Sequence, residues 1–193
     1  MLHRKYKLAL GFALVLGQIS VAQAGFIGKE FKVDYYDENL DQPYDQSTEV
    51  PSTFTVNGAP ETEVDIEGVT TISVDFNDTS VLFDFFTTLT NPRFRSEEFN
   101  GLVFDLLSGG PLAFSSFSVD DSSNFTGFDE SRIGLSENRL TIDWGGLTYN
   151  KDTRLLINFV PATVEVPEPA TLSLLGLGLL SVMANRRKRW SET

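Results

Sequence analysis

Apolar and polar residues alternate with a period of two through most of the chain between residues 25 and 160. In EFKVDYY, Phe31, Val33 and Tyr35 fall on one face, with Lys32 and Asp34 on the other. TISVDF sets Ile72, Val74 and Phe76 against Thr71, Ser73 and Asp75; VLFDFF turns Val81, Phe83 and Phe85 inward; TRLLINF does the same with Leu155, Ile157 and Phe159. This is the pattern of strands buried on one side. No helical spacing competes with it between Gly25 and Glu165. Turn residues punctuate the strands at Asn57-Gly58, Asn77 to Ser80, Ser108 to Pro111 and Ser136 to Asn138. Phe54 and Val56 before Asn57-Gly58, with Val64 and Ile66 after it, predict a hairpin or short loop there. Eight or nine short strands predict an all-β fold, an antiparallel β-sandwich of jelly-roll or Ig-like type, with meander or Greek-key connections.

The two ends depart from this pattern. The chain opens MLHRKYKLALGFALVLGQISVAQAGF. Arg4, Lys5 and Lys7 form a basic start, Leu8 to Leu16 an apolar stretch, and Ala22-Gln23-Ala24 a small-residue site. Residues 1–24 therefore read as a signal peptide, with Ala22 and Ala24 presented to signal peptidase and Gly25 as the first mature residue. At the other end, Ala170 to Ala184 holds 15 residues without charge, followed by Arg186, Arg187, Lys188, Arg189 and Trp190. Fifteen helical residues rise about 22 Å, short of the roughly 30 Å of a hydrocarbon core. The four bases act as a stop-transfer signal, and their long stems extend the reach of a short transmembrane helix. Pro167 and Pro169 hold the chain before it extended, and Glu168 sits where a helix dipole is positive. The expected domains are 1–24 leader, 25–160 sandwich, 161–166 tether, and 167–189 motif, apolar helix and basic tail.

Pro167-Glu168-Pro169, the Leu- and Gly-rich run and the arginine-rich end, in that order, resemble the PEP-CTERM sorting signal of Gram-negative bacteria. The resemblance implies an exported protein, anchored transiently in the inner membrane through the C-terminal helix and processed near Pro167-Glu168-Pro169 by an exosortase. It further implies a place at the cell surface or in the extracellular matrix, in bacteria that make exopolysaccharide or biofilm. The stretch from Gly127-Phe128-Asp129 to Trp144-Gly145-Gly146-Leu147 is similar to the last strands of many ectodomains with this signal, to which no activity is attached.

Composition narrows the chemistry of the sandwich. The chain has no cysteine, and its one histidine, His3, lies in the leader. Thiolate chemistry, Ser-His catalysis and Cys/His metal sites are thereby excluded from the mature protein. Residues 25 to 165 hold 25 acidic against 8 basic residues, a net charge of −17. Such a surface repels nucleic acid. No catalytic residue is assigned, and a non-enzymatic role is the expectation. The many carboxylates leave a small carboxylate-dependent hydrolase open, since glycoside hydrolysis needs only two.

Two acidic stretches carry the oxygen ligands that calcium takes. One offers Asp34, Asp37, Glu38, Asp41 and Asp45; the other offers Asp120, Asp121, Asn124, Asp129 and Glu130. Neither has EF-hand spacing, and Asp and Asn equally serve as turn formers. No cofactor is expected beyond calcium at Asp120, Asp121, Asn124 and Asp129. Tyr35, Tyr36, Tyr44, Trp144 and Tyr149 supply rings for sugar stacking or for core packing, and Trp144, in step with Leu140 and Ile142, is expected to face the core. A calcium-assisted carbohydrate-binding module is the alternative function.

Overall fold

The computed structural model describes residues 25–163. Among these residues, eleven strands and a single 3-10 turn, Glu130–Arg132, make up the regular structure. The strands are β1 (Glu30–Tyr36), β2 (Ser47–Val50), β3 (Thr53–Thr55), β4 (Thr62–Ile66), β5 (Thr70–Phe76), β6 (Ser80–Thr87), β7 (Gly101–Ser108), β8 (Phe114–Val119), β9 (Ile133–Leu135), β10 (Arg139–Asp143) and β11 (Arg154–Pro161). They form two sheets, ordered β3-β1-β7-β10-β9 and β2-β4-β5-β6-β11-β8. Every neighbouring pair is antiparallel. The fold is the expected two-sheet sandwich, and the last strand runs one residue past the expected domain end.

Alternation in the sequence becomes alternation in burial. β5 places Ile72, Val74 and Phe76 wholly inside, and β11 does so with Leu155 and Ile157. The facing sheets interlock through phenylalanine. Phe31 of β1 stacks on Phe76 of β5 with ring centroids 5.4 Å apart, and Phe76 meets Phe104 of β7 edge-on at 5.2 Å. Offset-stacked and edge-on geometries are those that aromatic quadrupoles favour, and they add to the burial of large rings.

Most connections cross between the sheets. Seven of the ten pass from one sheet to the other; only β4–β5, β5–β6 and β9–β10 are hairpins within a sheet. The β4–β5 turn uses Glu67 and Gly68, both at positive φ (55° and 67°), the left-handed region that glycine enters at little cost. Asn57-Gly58 does not close a hairpin. β3 pairs with β1 in one sheet, whereas β4 pairs with β2 and β5 in the other. The buried carboxylate of Glu61 makes this corner, accepting the backbone N–H of Phe76 at 2.6 Å and of Asn57 at 3.2 Å. Burial raises the Glu61 pKa, and those backbone donors oppose the rise.

Both ends of the described chain meet the turn between β5 and β6. The backbone N–H of Phe26 donates to the carbonyl of Asp78 at 2.8 Å, and that of Phe159, in β11, donates to the carbonyl of Thr79 at 2.8 Å. Phe26 is fully buried among Phe31, Phe76, Phe114 and Phe159. Nearby, buried Lys29 donates from Nζ to the carbonyls of Gly109, Gly110 and Pro111 at 2.9, 2.9 and 3.0 Å. This one side chain holds the β7–β8 turn against the N-terminal segment. Burial lowers the Lys29 pKa.

Candidate functional site

β1 carries the chain from the Lys29 pole of the sandwich to the opposite pole. There the segment after β1, the segment before β7 and the segment after β10 converge on Asn100, which is 1% exposed. Its Oδ1 accepts the Tyr35 hydroxyl at 2.6 Å, and its Nδ2 donates to Asp37 Oδ1 at 2.6 Å. Its backbone N–H donates to Asp143 Oδ1 at 3.2 Å, and its carbonyl accepts the Trp144 N–H at 2.9 Å. A buried amide bonded on this many sides fixes the relative positions of three segments.

Asp37 is thus aimed at Arg95. The guanidinium lies 3.1 Å from Asp37 Oδ2 and 3.3 Å from Glu38 Oε1. Burial raises the Asp37 pKa, and the Arg95 charge opposes the rise. Above the pair opens a cleft of about 390 Å³ lined by Asp37, Glu38, Asn39, Asp41, Gln42, Pro43, Tyr44, Asp45 and Arg95. A second hollow of about 220 Å³ shares Asp37, Tyr44 and Arg95 and continues toward Glu67, Thr70 and Tyr149. Half-buried Tyr44 stands between them, its hydroxyl donating to Glu67, a bond that pushes the Tyr44 pKa up to about 12. On the hollow's inner wall, Tyr149 and Thr70 share a hydrogen bond of 2.8 Å. The cleft is rich in acceptors, with one guanidinium and one partly exposed ring, a surface suited to a ligand bearing hydroxyl or amine donors.

The first acidic stretch therefore lines a cleft. Asp37, Glu38, Asp41 and Asp45 contribute, while Asp34 pairs instead with Lys32 at 2.7 Å. In the second stretch Asp120, Asn124, Asp129 and Glu130 are engaged in turns and in bonds to neighbouring strands, Glu130 accepting the Val119 N–H at 2.9 Å. Asp120 accepts from the Ser122 N–H at 2.9 Å and Asn158 Nδ2 at 2.8 Å, bonds that hold its pKa down. Asp129 caps the 3-10 turn through the Ser131 N–H at 2.9 Å, and its pKa is held down by Ser131. Asn124 is stitched to β11, accepting the Arg154 N–H at 2.6 Å and donating to the Asp152 carbonyl at 2.8 Å. Asp121 is exposed. Among the described residues no three or more acidic, histidine or cysteine side chains gather around one point.

The aromatic rings do not form a stacking platform. Tyr35, Trp144 and Tyr149 belong to the main core, and Tyr36 is buried with Phe99 and Val103 in a separate cluster. Only Tyr44 reaches the cleft with a partly open ring. Arg95 and Asn100 escaped the sequence reading. Arg95 carried a signal, because Arg93 and Arg95 are two of only eight bases in the acidic domain. Asn100 carried none.

The other expected sites sit at the chain's ends. Gly25 is the first described residue and is buried. Ala22 and Ala24, Pro167, Glu168 and Pro169, the Ala170 to Ala184 run, and Arg186, Arg187, Lys188 and Arg189 all lie outside the described residues. Among the described residues no helix is long and apolar enough to cross a membrane. Residues 165–188 match the family model of the PEP-CTERM protein-sorting motif. The chain carries a PEP-CTERM sorting signal. The match spans the Pro167-Glu168-Pro169 tripeptide, the whole apolar run and three of the four bases. The PEP-CTERM signal marks an exported protein, sorted through an exosortase after a membrane-anchored stage in transit. No curated protein and no solved structure matches the chain.

Proposed function

We propose that this chain is a non-enzymatic protein of the cell surface or extracellular matrix, delivered there through its PEP-CTERM signal and associated with exopolysaccharide or biofilm. The observation that carries the reading is the junction. β11 ends at Pro161 and the sorting signal begins at residue 165, so a closed sandwich is joined to its address by three residues. Cutting near Pro167-Glu168-Pro169 releases the whole domain without touching a strand. The cleft carboxylates Asp37 and Glu38 are both engaged by Arg95, which favours a binding surface over an acid-base pair. Signal peptidase acts first, after Ala24.

The test compares the wild type with a variant whose Pro167, Glu168 and Pro169 are all alanine. The apolar run is unchanged, so both insert into the inner membrane. The wild type should leave the membrane fraction with a truncated C-terminus, and the variant should stay at full mature mass. Equal mass and equal fractionation would identify a plain single-pass anchor and overturn the reading.

The Tyr44 cleft favours one second reading, a carbohydrate-binding module assisted by calcium. An open polar cleft with a ring at its edge suits a saccharide. Glycan-array binding that disappears in Tyr44→Ala would support it, and loss on chelation would add the calcium. An array without any signal would leave the sandwich as cargo alone.

A further inference from the structure

We infer that leader removal completes the fold: the α-ammonium released at Gly25 pairs with the carboxylate of Asp78 and holds Phe26 in the core. This rests on the cleavage after Ala24 proposed above. Hydrolysis of the Ala24–Gly25 bond consumes one water, leaving a carboxylate on Ala24 and an ammonium on Gly25.

Three observations meet at this point. Gly25 is buried, and Phe26, the second residue of the mature chain, is 0% exposed. Second, the Asp78 carboxylate lies against Gly25. A Cβ added to Gly25 would fall 2.1 Å from Asp78 Oδ1 and 3.0 Å from Oδ2, so only glycine admits the carboxylate there. By covalent geometry the Gly25 nitrogen is then no more than about 4.6 Å from Oδ1. Freed of Ala24, it can turn about the Gly25 Cα to close the gap. Third, the Asp78 carboxylate is little engaged within the described domain. Among the described residues it forms no ion pair, and its side chain accepts one long bond, from the Ile27 N–H at 3.4 Å.

The same Asp78 binds the segment twice, since its carbonyl accepts the Phe26 N–H. A new positive charge is also favoured by the domain as a whole, whose net charge is −17. Before cleavage the Gly25 nitrogen is a neutral amide and offers Asp78 no charge. Peptidase action thus supplies a structural part as well as removing the leader.

The experiment uses full-length chains exported from a Gram-negative host. N-terminal sequencing first identifies the mature end. The α-amine of the purified protein is then acylated near neutral pH, where lysine amines are protonated and slow. Asp78 is exposed, so we expect labelling about two- to fivefold slower in the wild type than in Asp78→Asn, the range that a solvent-facing ion pair produces. A variant with one alanine inserted between Ala24 and Gly25 moves the ammonium one residue outward. It should melt below the wild type, and adding Asp78→Asn to it should change little further. A mature end other than Gly25 would overturn the cleavage reading and the pair together. A Gly25 end with equal labelling in wild type and Asp78→Asn would overturn the pair alone. So would an inserted alanine that leaves the melting temperature unchanged.

Discussion

The two poles of the sandwich are built from different chemistry. At the pole holding the chain ends, Phe26, Phe31, Phe76, Phe114 and Phe159 pack ring to ring, and the polar groups serve the backbone: Lys29 caps three carbonyls and Glu61 takes two N–H groups. At the cleft pole tyrosines stand among the rings, Tyr35, Tyr44 and Tyr149 beside Phe94 and Trp144, and Tyr35, Asn100 and Asp37 form a chain of side-chain bonds that ends on an exposed guanidinium. The first pole is arranged to hold, the second to present a surface. Burial by phenylalanine is nondirectional and large in sum, whereas a hydrogen-bonded chain is directional and depends on every member.

Substitution should separate the two. Phe76→Ala empties a site touched by Phe26, Phe31, Phe54 and Phe104, and should cost about 3–5 kcal/mol in denaturant unfolding. Asn100→Ala removes no large volume, yet it leaves the Tyr35 hydroxyl without its acceptor and Asp37 Oδ1 without its donor, and should cost about 2–4 kcal/mol. If Asn100→Ala were neutral, the cleft pole would not depend on its polar chain. Lys29→Met keeps the apolar stem and leaves three carbonyls without their donor, an expected loss of about 1–3 kcal/mol. Arg95→Ala should leave the melting temperature nearly unchanged while altering whatever the cleft binds, because the guanidinium is half exposed.

Acidity offers a finer comparison. Asp37 at one pole and Glu61 at the other both have raised pKa values, chiefly from burial. The native state therefore keeps each proton above the pH at which the unfolded chain releases it. The associated stability is complete below the unfolded values and is lost as pH rises through the raised native ones. Melting temperature should fall as the buffer moves from mildly acidic toward neutral. Glu61→Gln should flatten that slope more than Asp37→Asn, since Asp37 has Arg95 to offset its charge and Glu61 has only backbone donors. A slope unchanged in both variants would show that the general −17 repulsion governs it.

Strands with one apolar face were legible from the sequence because a period of two leaves a visible trace: Phe31, Val33 and Tyr35, or Ile72, Val74 and Phe76, each mark a buried face. β2 was not legible. Its residues, Ser47 to Val50, include one apolar side chain, and that one is 64% exposed; the strand exists because β4 offers an edge to pair with. Asn57-Gly58 misled for a related reason. The dipeptide specifies a tight turn but not whether the chain returns to its own sheet, and the deciding residue, Glu61, acts through Phe76, far along the chain. The cleft stayed hidden because Asn100 and Arg95 gain their roles only when three distant segments meet. The sorting signal, by contrast, was wholly legible, because its three parts are contiguous.

The turn at Asp78 and Thr79 gathers the entering and the leaving chain at one place. β1 runs away from that place for seven residues before it reaches Asp37, about 23 Å at ordinary strand rise. The acidic cleft lies at the pole opposite both ends of the described chain. The sorting signal therefore joins the domain at the end opposite the acidic cleft, so the surface the cleft displays is set apart from the segment on which sorting acts.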